Sequence, residues 1–171
     1  TYWHRNGQVS LEGTFLDDKQ DGVWTSYFKS GIKHEVGRAK ADKRHGKVMI
    51  WYPSGKRKQA GQYVDGQRVG KWTDWYESGR VSFEHRFHKD RHTGKQTAWY
   101  ESGQKRREGV LINGDRTGSW TWWHESGKVF AKGEYAADIA EKLECWDEKS
   151  QPLPVVSDEE NGLRCKKEDS L

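Results

Sequence analysis

The stretch Lys71-Trp72-Thr73-Asp74-Trp75-Tyr76-Glu77-Ser78-Gly79-Arg80 decides how this chain folds. Its first half is rich in aromatic residues and runs into turn formers, so it reads as a strand of about six residues. Glu77-Ser78-Gly79-Arg80 suits a type I turn followed by a glycine in the left-handed region. That combination closes a hairpin with a G1 bulge. A return strand is expected near Val81–Phe87, and a polar loop over His88–Gly94 then leads onward. The unit is one β-hairpin, which has too little apolar contact to stand alone in water.

The same unit recurs on both sides with a period of 24 residues. Gly31, Gly55, Gly79, Gly103 and Gly127 form one column, each preceded by a serine, and Gly7 extends it backwards. Gly22, Gly46, Gly70, Gly94 and Gly118 form a second. Gly13, Gly37, Gly61, Gly109 and Gly133 form a third, broken only by His85. The aromatic columns keep the same phase. Trp3, Tyr27, Trp51, Trp75, Trp99 and Trp123 make one, and His4, Phe28, Tyr52, Tyr76, Tyr100 and His124 lie beside them. Trp24, Trp72 and Trp120 mark a third, interrupted by Val48 and Gln96. Phe15, Tyr63, Phe87 and Tyr135 mark a fourth.

Such a period belongs to an array whose stability comes from neighbour contacts. The expected fold class is all-β: tandem 24-residue β-hairpin repeats forming an elongated twisted antiparallel sheet, with a C-terminal capping segment. The array spans residues 1–135, about five and a half repeats, and residues 136–171 form the cap and an acidic tail. Ala136–Cys145 lacks the glycines and is expected to form one short helix, with the tail frayed after about Asn161. The chain begins inside a repeat, so further sequence is expected before Thr1.

Composition agrees with a thin structure. The chain has 171 residues, only 32% hydrophobic, with a mean hydropathy of -1.14, yet it carries ten Trp. Disordered chains lack aromatics, and thick cores are built from aliphatic residues. No apolar run approaches the roughly 20 residues of a membrane helix. Charge is uneven: residues 23–70 hold eleven Lys/Arg against three acids, and residues 143–171 hold four against eight. The basic block could meet an acidic protein, acidic lipid or nucleic acid, although a solvated sheet face explains most such blocks.

No constellation reads as catalytic. His85, His88 and His92 cluster in sequence, but the first two point to opposite faces of a strand and His92 is expected in a loop. The Ser-Gly pairs recur at every turn, where a small polar residue is a structural need; a nucleophile would be unique. The glycines make no phosphate-binding motif. Catalytic residues, cofactor and metal are therefore all expected to be absent. Aromatic columns with interleaved cations resemble a single-strand nucleic-acid platform in composition, but cross-strand packing explains each column more simply. A one-layer sheet leaves one aromatic face partly open, and exposed apolar patches mark binding surfaces. Trp51, Tyr52, Trp75, Tyr76, Trp99 and Tyr100, with Lys56, Arg57 and Lys58, are the expected partner-binding residues. Cys145 and Cys165, both in the tail, are the expected disulfide. A disulfide favours an exported protein, periplasmic or in the cell envelope, over a cytoplasmic one.

The pattern Gly-x-Trp-x-x-Trp/Tyr-Tyr-x-x-Gly-Lys, then an aromatic, then Asn/Asp-Gly-x-x-x-Gly, resembles MORN repeats over residues 2–135. The Tyr-Glu-Ser-Gly turn is most similar to the bacterial MORN variant found in proteins of the YwqK-like antitoxin family. The resemblance implies a module that binds proteins, dimerises or associates with membranes, and it brings no catalytic residues. His85, Val48 and Gln96 depart from the pattern and would mark where a specific partner surface differs. The leading expectation is a non-enzymatic protein-binding scaffold whose partner is another protein, in the sharpest version a toxin that it neutralises. Self-association as an envelope or cell-surface structural protein is the first alternative. Peripheral binding to acidic lipid ranks below it, and nucleic acid is disfavoured.

Overall fold

The computed structural model describes residues 1–158 and 162–166, and every regular element among them is a β-strand. The chain divides into two compact units, Thr1–Arg91 and His92–Leu171. The first contains β1 (Tyr2–Trp3), β2 (Val9–Leu16), β3 (Lys19–Tyr27), β4 (Lys33–Lys40), β5 (Lys43–Arg44), β6 (Gly46–Trp51), β7 (Arg57–Val64), β8 (Gln67–Trp75) and β9 (Val81–His88). Each long strand pairs antiparallel with its neighbours in sequence, and β5 extends the edge of β4. The two-residue β10 (Arg91–His92) lies where the units meet in sequence. The second unit contains β11 (Gly94–Trp99), β12 (Lys105–Ile112), β13 (Asp115–Trp123), β14 (Val129–Ala136), β15 (Ile139–Trp146) and β16 (Pro152–Leu153), paired in that order. A separate hairpin of β17 (Val155–Asp158) and β18 (Gly162–Cys165) follows.

Two kinds of turn alternate. At the Ser-Gly turn, the Gly79 N–H donates to the Tyr76 carbonyl at 2.9 Å and the Tyr76 N–H donates to the Arg80 carbonyl at 2.8 Å. Gly79 has φ +92°, and the register slips between Asp74 and Trp75. This is the expected type I turn with its bulge, and Gly55, Gly103 and Gly127 repeat it. The second turn is tighter than the sequence implied. Lys89 and Asp90 have φ of +48° and +64°, and they reverse the chain alone. Two successive positive φ values define a type I′ hairpin. His88–Gly94 is therefore no loop: Arg91 and His92 are already strand. The signal was missed because type I′ turns usually advertise a glycine, whereas here Asp at the second position tolerates the left-handed region.

The third glycine column exists to seat tryptophan. Gly61 and Trp72 lie side by side on β7 and β8, and a Cβ on Gly61 would sit 2.1 Å from Trp72 Cδ2. Gly109 stands in the same relation to Trp120, again at 2.1 Å. Between the pairs Gln62–Val69 and Ala60–Thr73, β8 has more residues than β7, and Gly70 takes φ +66° there. The extra residues bend the strand. Tyr63 and Phe87 meet the Trp72 indole edge-on, at 5.1 Å and 5.9 Å between ring centroids. Trp72 is only 1% exposed and Trp120 2%, so both indoles are fully buried although most of the chain lies in hairpins of one sheet. His85 and Val48 of the first unit and Gln96 of the second are buried too. They do not mark a partner surface, because their side chains face neighbouring strands rather than solvent.

The C-terminal segment contains no helix among its described residues. Ala137 and Asp138 (φ +47° and +69°) form another two-residue turn, and Ile139–Trp146 is strand β15, paired along its length with β14. Ala, Glu, Lys and Leu favour helix by propensity, but the open edge of β14 wins. Ladder hydrogen bonds and the burial of Ala140 and Cys145 override the local preference. Beyond Asn161 the chain is ordered as β18, so the expected fraying does not hold for residues 162–166; the rest of that expectation falls on residues 167–171, outside the described residues. Cys145 and Cys165 form a disulfide, with Cα atoms 5.8 Å apart. Leu163 packs against the cluster of Leu111, Trp120, Tyr135 and Ala140.

The Gly61 contact gives a direct check. Gly61→Ala forces a methyl into the Trp72 ring and is expected to cost about 3 kcal/mol, whereas a comparable change at an outward position costs well under 1 kcal/mol. Urea unfolding followed by Trp fluorescence reads the difference.

Candidate interaction surface

The expected partner-binding residues sit at or beside the Ser-Gly turns of their own units. Trp51, Tyr52, Trp75 and Tyr76 of the first unit and Trp99 and Tyr100 of the second are all half-buried, while Lys56, Arg57 and Lys58 are exposed. Part of each tyrosine is committed to the scaffold. The Tyr52 hydroxyl donates to the Trp75 carbonyl at 2.7 Å, and the Tyr100 hydroxyl donates to the Trp123 carbonyl at 2.9 Å. His124 makes the same link to the Trp146 carbonyl at 2.9 Å, and His4 to that of Tyr27 at 2.9 Å. At these four positions the column ties a turn to the hairpin that follows it. What remains available is the outer edge of each ring, and the Lys58 ammonium stands 5.5 Å from the Tyr52 ring centroid.

At the opposite ends of the hairpins, arginine and aspartate tie neighbours together. The Arg68 N–H and Nε both donate to Asp90 Oδ1, at 3.1 and 2.9 Å, and the guanidinium lies 4.0 Å over the Phe87 ring. Arg116 does the same with Asp138 and Tyr135. Hydrogen bonds from the arginine side chain, then from its backbone, hold both carboxyls below the usual aspartate range. Arg44, in the same column, turns to the buried Glu35 at 3.1 Å. Burial pushes the Glu35 carboxyl up, against the pull of Arg44. Sequence reading overlooked this column, although Arg44, Arg68 and Arg116 share the repeat phase.

Strand register sorts the remaining residues onto two faces. The interior row of the first unit runs Leu11, Ser26, Glu35, Ile50, Gln59, Asp74 and Phe83. The outward row on the other face runs Glu12, Thr25, Val36, Met49, Ala60, Thr73 and Glu84. Beside it stand Arg38, Lys47, Gln62, Lys71 and Arg86, all exposed. A shallow groove of about 510 Å³ lies over this part of the sheet. In the second unit the same row reads Thr97, Glu108, Thr121, Lys132 and Glu144, with Thr97 buried against Glu108. None of these outward residues could be paired without knowing both bulges, which is why the sequence concealed them.

His85 is buried 3.6 Å from Asp74, between Phe83 and Phe87, while His88 is exposed. Among the described residues no three His, Cys, Asp or Glu side chains converge as metal ligands would.

The model of the MORN repeat variant matches residues 44–65 and 116–137, one stretch in each unit. The stretches begin 72 residues apart, three whole periods, so both match in the same phase. Over them the chain is similar to that repeat, a class of binding motif for proteins or lipids. No curated protein matches the chain.

Two measurements separate scaffold from surface here. Tyr52→Phe removes the bond to the Trp75 carbonyl and is expected to lower stability by about 1 kcal/mol, with the fold intact by circular dichroism. Asp90→Asn keeps an acceptor for the Arg68 backbone but removes the charge. Because the Asp90 pKa is depressed in the fold, its stabilisation is present above the unfolded value and is lost as pH falls through the folded one. The gap in Tm between wild type and D90N should therefore be full at pH 7 and close below about pH 4. Both groups are partly exposed, so the gap corresponds to less than about 1 kcal/mol.

Proposed function

We propose that the chain is a non-enzymatic protein-binding scaffold that holds a partner along the rim of its Ser-Gly turns, and that the partner is a toxin which it neutralises. One observation carries the reading. The turns repeat a half-buried Trp-Tyr pair beside exposed cations Lys56, Arg57 and Lys58. Aromatic anchors ringed by polar groups are the usual composition of a protein-contact hot spot. Trp51, Tyr52, Trp75, Tyr76, Trp99 and Tyr100 supply the apolar contact in this reading. The match to the MORN variant supports a binding role. Residues 1–135 form the binding array and residues 136–171 its cap, with the Cys145–Cys165 disulfide supporting an exported location.

The test is native capture from the source cell in alkylating, non-reducing buffer, comparing wild type with R57E/K58E. A single stoichiometric protein partner, lost from R57E/K58E, and no labelled thiol are expected. An inhibited toxic enzyme as that partner establishes the neutralising role. Recovery of bait alone as a concentration-dependent oligomer would replace this reading with a self-associating envelope protein. Co-purifying acidic lipid without protein would replace it with peripheral membrane binding. Two labelled thiols on folded protein would remove the exported location.

A further inference from the structure

The two units use the same outward face in different ways. In the second unit the sheet answers its own charges. Glu134 lies opposite Lys142 and Glu144 opposite Lys132 in register, and Lys95 reaches Glu108 at 3.2 Å. In the first unit the corresponding row is cationic. Lys71 stands directly opposite Arg86, and Lys47 stands opposite Gln62. Like charges directly across a sheet oppose pairing. Lys71 finds relief from Glu84 at 2.6 Å. Among the described residues Arg38, Lys47 and Arg86 form no ion pair. The imbalance extends through the unit, which holds 18 Lys/Arg against 11 Asp/Glu, whereas residues 92–171 hold 12 against 15.

Next to the cations the sheet carries Val36, Met49, Ala60 and Thr73 in one cross-strand row, all half-buried. These residues, with Lys47 and Lys71, line the groove of about 510 Å³. The floor is therefore aliphatic and small, and its wall is basic. We infer that this face of the first unit docks an acidic protein segment, one in which carboxylates alternate with small apolar residues. The apolar side chains lie on Val36, Met49 and Ala60, and the carboxylates reach Arg38, Lys47 and Arg86. Charge complementarity of this kind selects the partner and speeds its approach. A nucleic-acid strand needs aromatic platforms for its bases, and the central row Thr25–Val36–Met49–Ala60–Thr73 offers none. A bilayer needs apolar groups that protrude, whereas Val36, Met49 and Ala60, which line the groove, are half-buried between the cations. The inference rests on the protein-binding reading and adds a second contact face and the chemistry of what it holds.

The experiment uses the purified full chain and a fluorescent peptide of alternating Glu and Val, about twelve residues long. Binding is measured by anisotropy at low and high salt. The variants are K71E/R86E on the proposed face and K149E/K166E in the second unit, which carry the same net charge. The peptide is expected to bind wild type and K149E/K166E equally, to weaken at high salt, and to bind K71E/R86E at least about tenfold more weakly. R86E should melt no lower than wild type, because it places opposite charges across the strands; a clear fall in Tm would make the cations structural and overturn the inference. Equal loss in both double variants, no binding of the peptide, or tighter binding of a dT oligonucleotide or phosphatidylserine vesicles would also overturn it. If a natural partner is captured and K71E/R86E still holds it, this face fails while the protein-binding reading stands; if only bait is captured, the broader reading falls.

Discussion

Everything in this structure follows from setting an indole ring on a glycine. A sheet one layer thick has no opposing layer against which to bury apolar groups. The chain solves the problem within the strand pair. At Gly61 and Gly109 the absent side chain leaves a flat seat, and Trp72 and Trp120 lie on it. A buried aromatic side chain removes roughly 150–250 Å² from water, and the bulge at Gly70 bends β8 so that Tyr63 and Phe87 flank the ring. Two glycine columns therefore do different work, one by making room and the other by bending the strand. The tryptophan recurs only in alternate repeats, with Val48 and Gln96 between, so the packing unit is two hairpins long although the hairpin repeats every 24 residues.

That constraint also explains what was legible in the sequence. The Ser-Gly turn is readable because its conformation needs a glycine with positive φ at one position, and the columns of Gly and Trp keep their phase through residue 133. The second turn is not readable in the same way. Two copies, Asp65-Gly66 and Asn113-Gly114, carry ordinary turn residues, but in others the positive φ values fall on Ala41-Asp42 and Lys89-Asp90, pairs with no glycine. Their conformation is held from outside, by bonds such as those that the Arg68 and Gln20 N–H groups of the preceding hairpin donate to the Asp90 and Asp42 carboxylates. Local sequence cannot report a geometry that a neighbouring repeat imposes. Strand β15 was hidden for a related reason. Its residues prefer helix when isolated, and only the unsatisfied edge of β14 makes them strand.

The candidate surface was half legible. The Trp-Tyr rim could be read as a column, but not that Tyr52 and Tyr100 also fasten one hairpin to the next. Burial of His85, Val48 and Gln96 shows the converse error, since departure from a repeat pattern need not mean exposure. In this fold an irregular residue on the interior row answers to the volume of its neighbours. His85 replaces a glycine beside Trp72 and packs between two phenylalanines instead. Specificity toward a partner is free to vary only where packing does not decide, on the outward rows and at the rim.

The outward rows show what that freedom allows. Both units build the same hairpins with the same bulges, so neither charge pattern is required for folding. One unit sets Lys132 and Glu134 against Glu144 and Lys142, the arrangement a sheet prefers by itself. The other keeps Lys71 across from Arg86. A scaffold selected for stability alone would favour the first arrangement everywhere, because a single Lys→Glu change on that row converts repulsion into attraction without touching the core. Retaining Lys71 across from Arg86 costs the sheet a little stability, and Glu84 returns part of it to Lys71. The fold thus divides its residues by face: the interior row holds the array together, and the outward row is free to vary in charge.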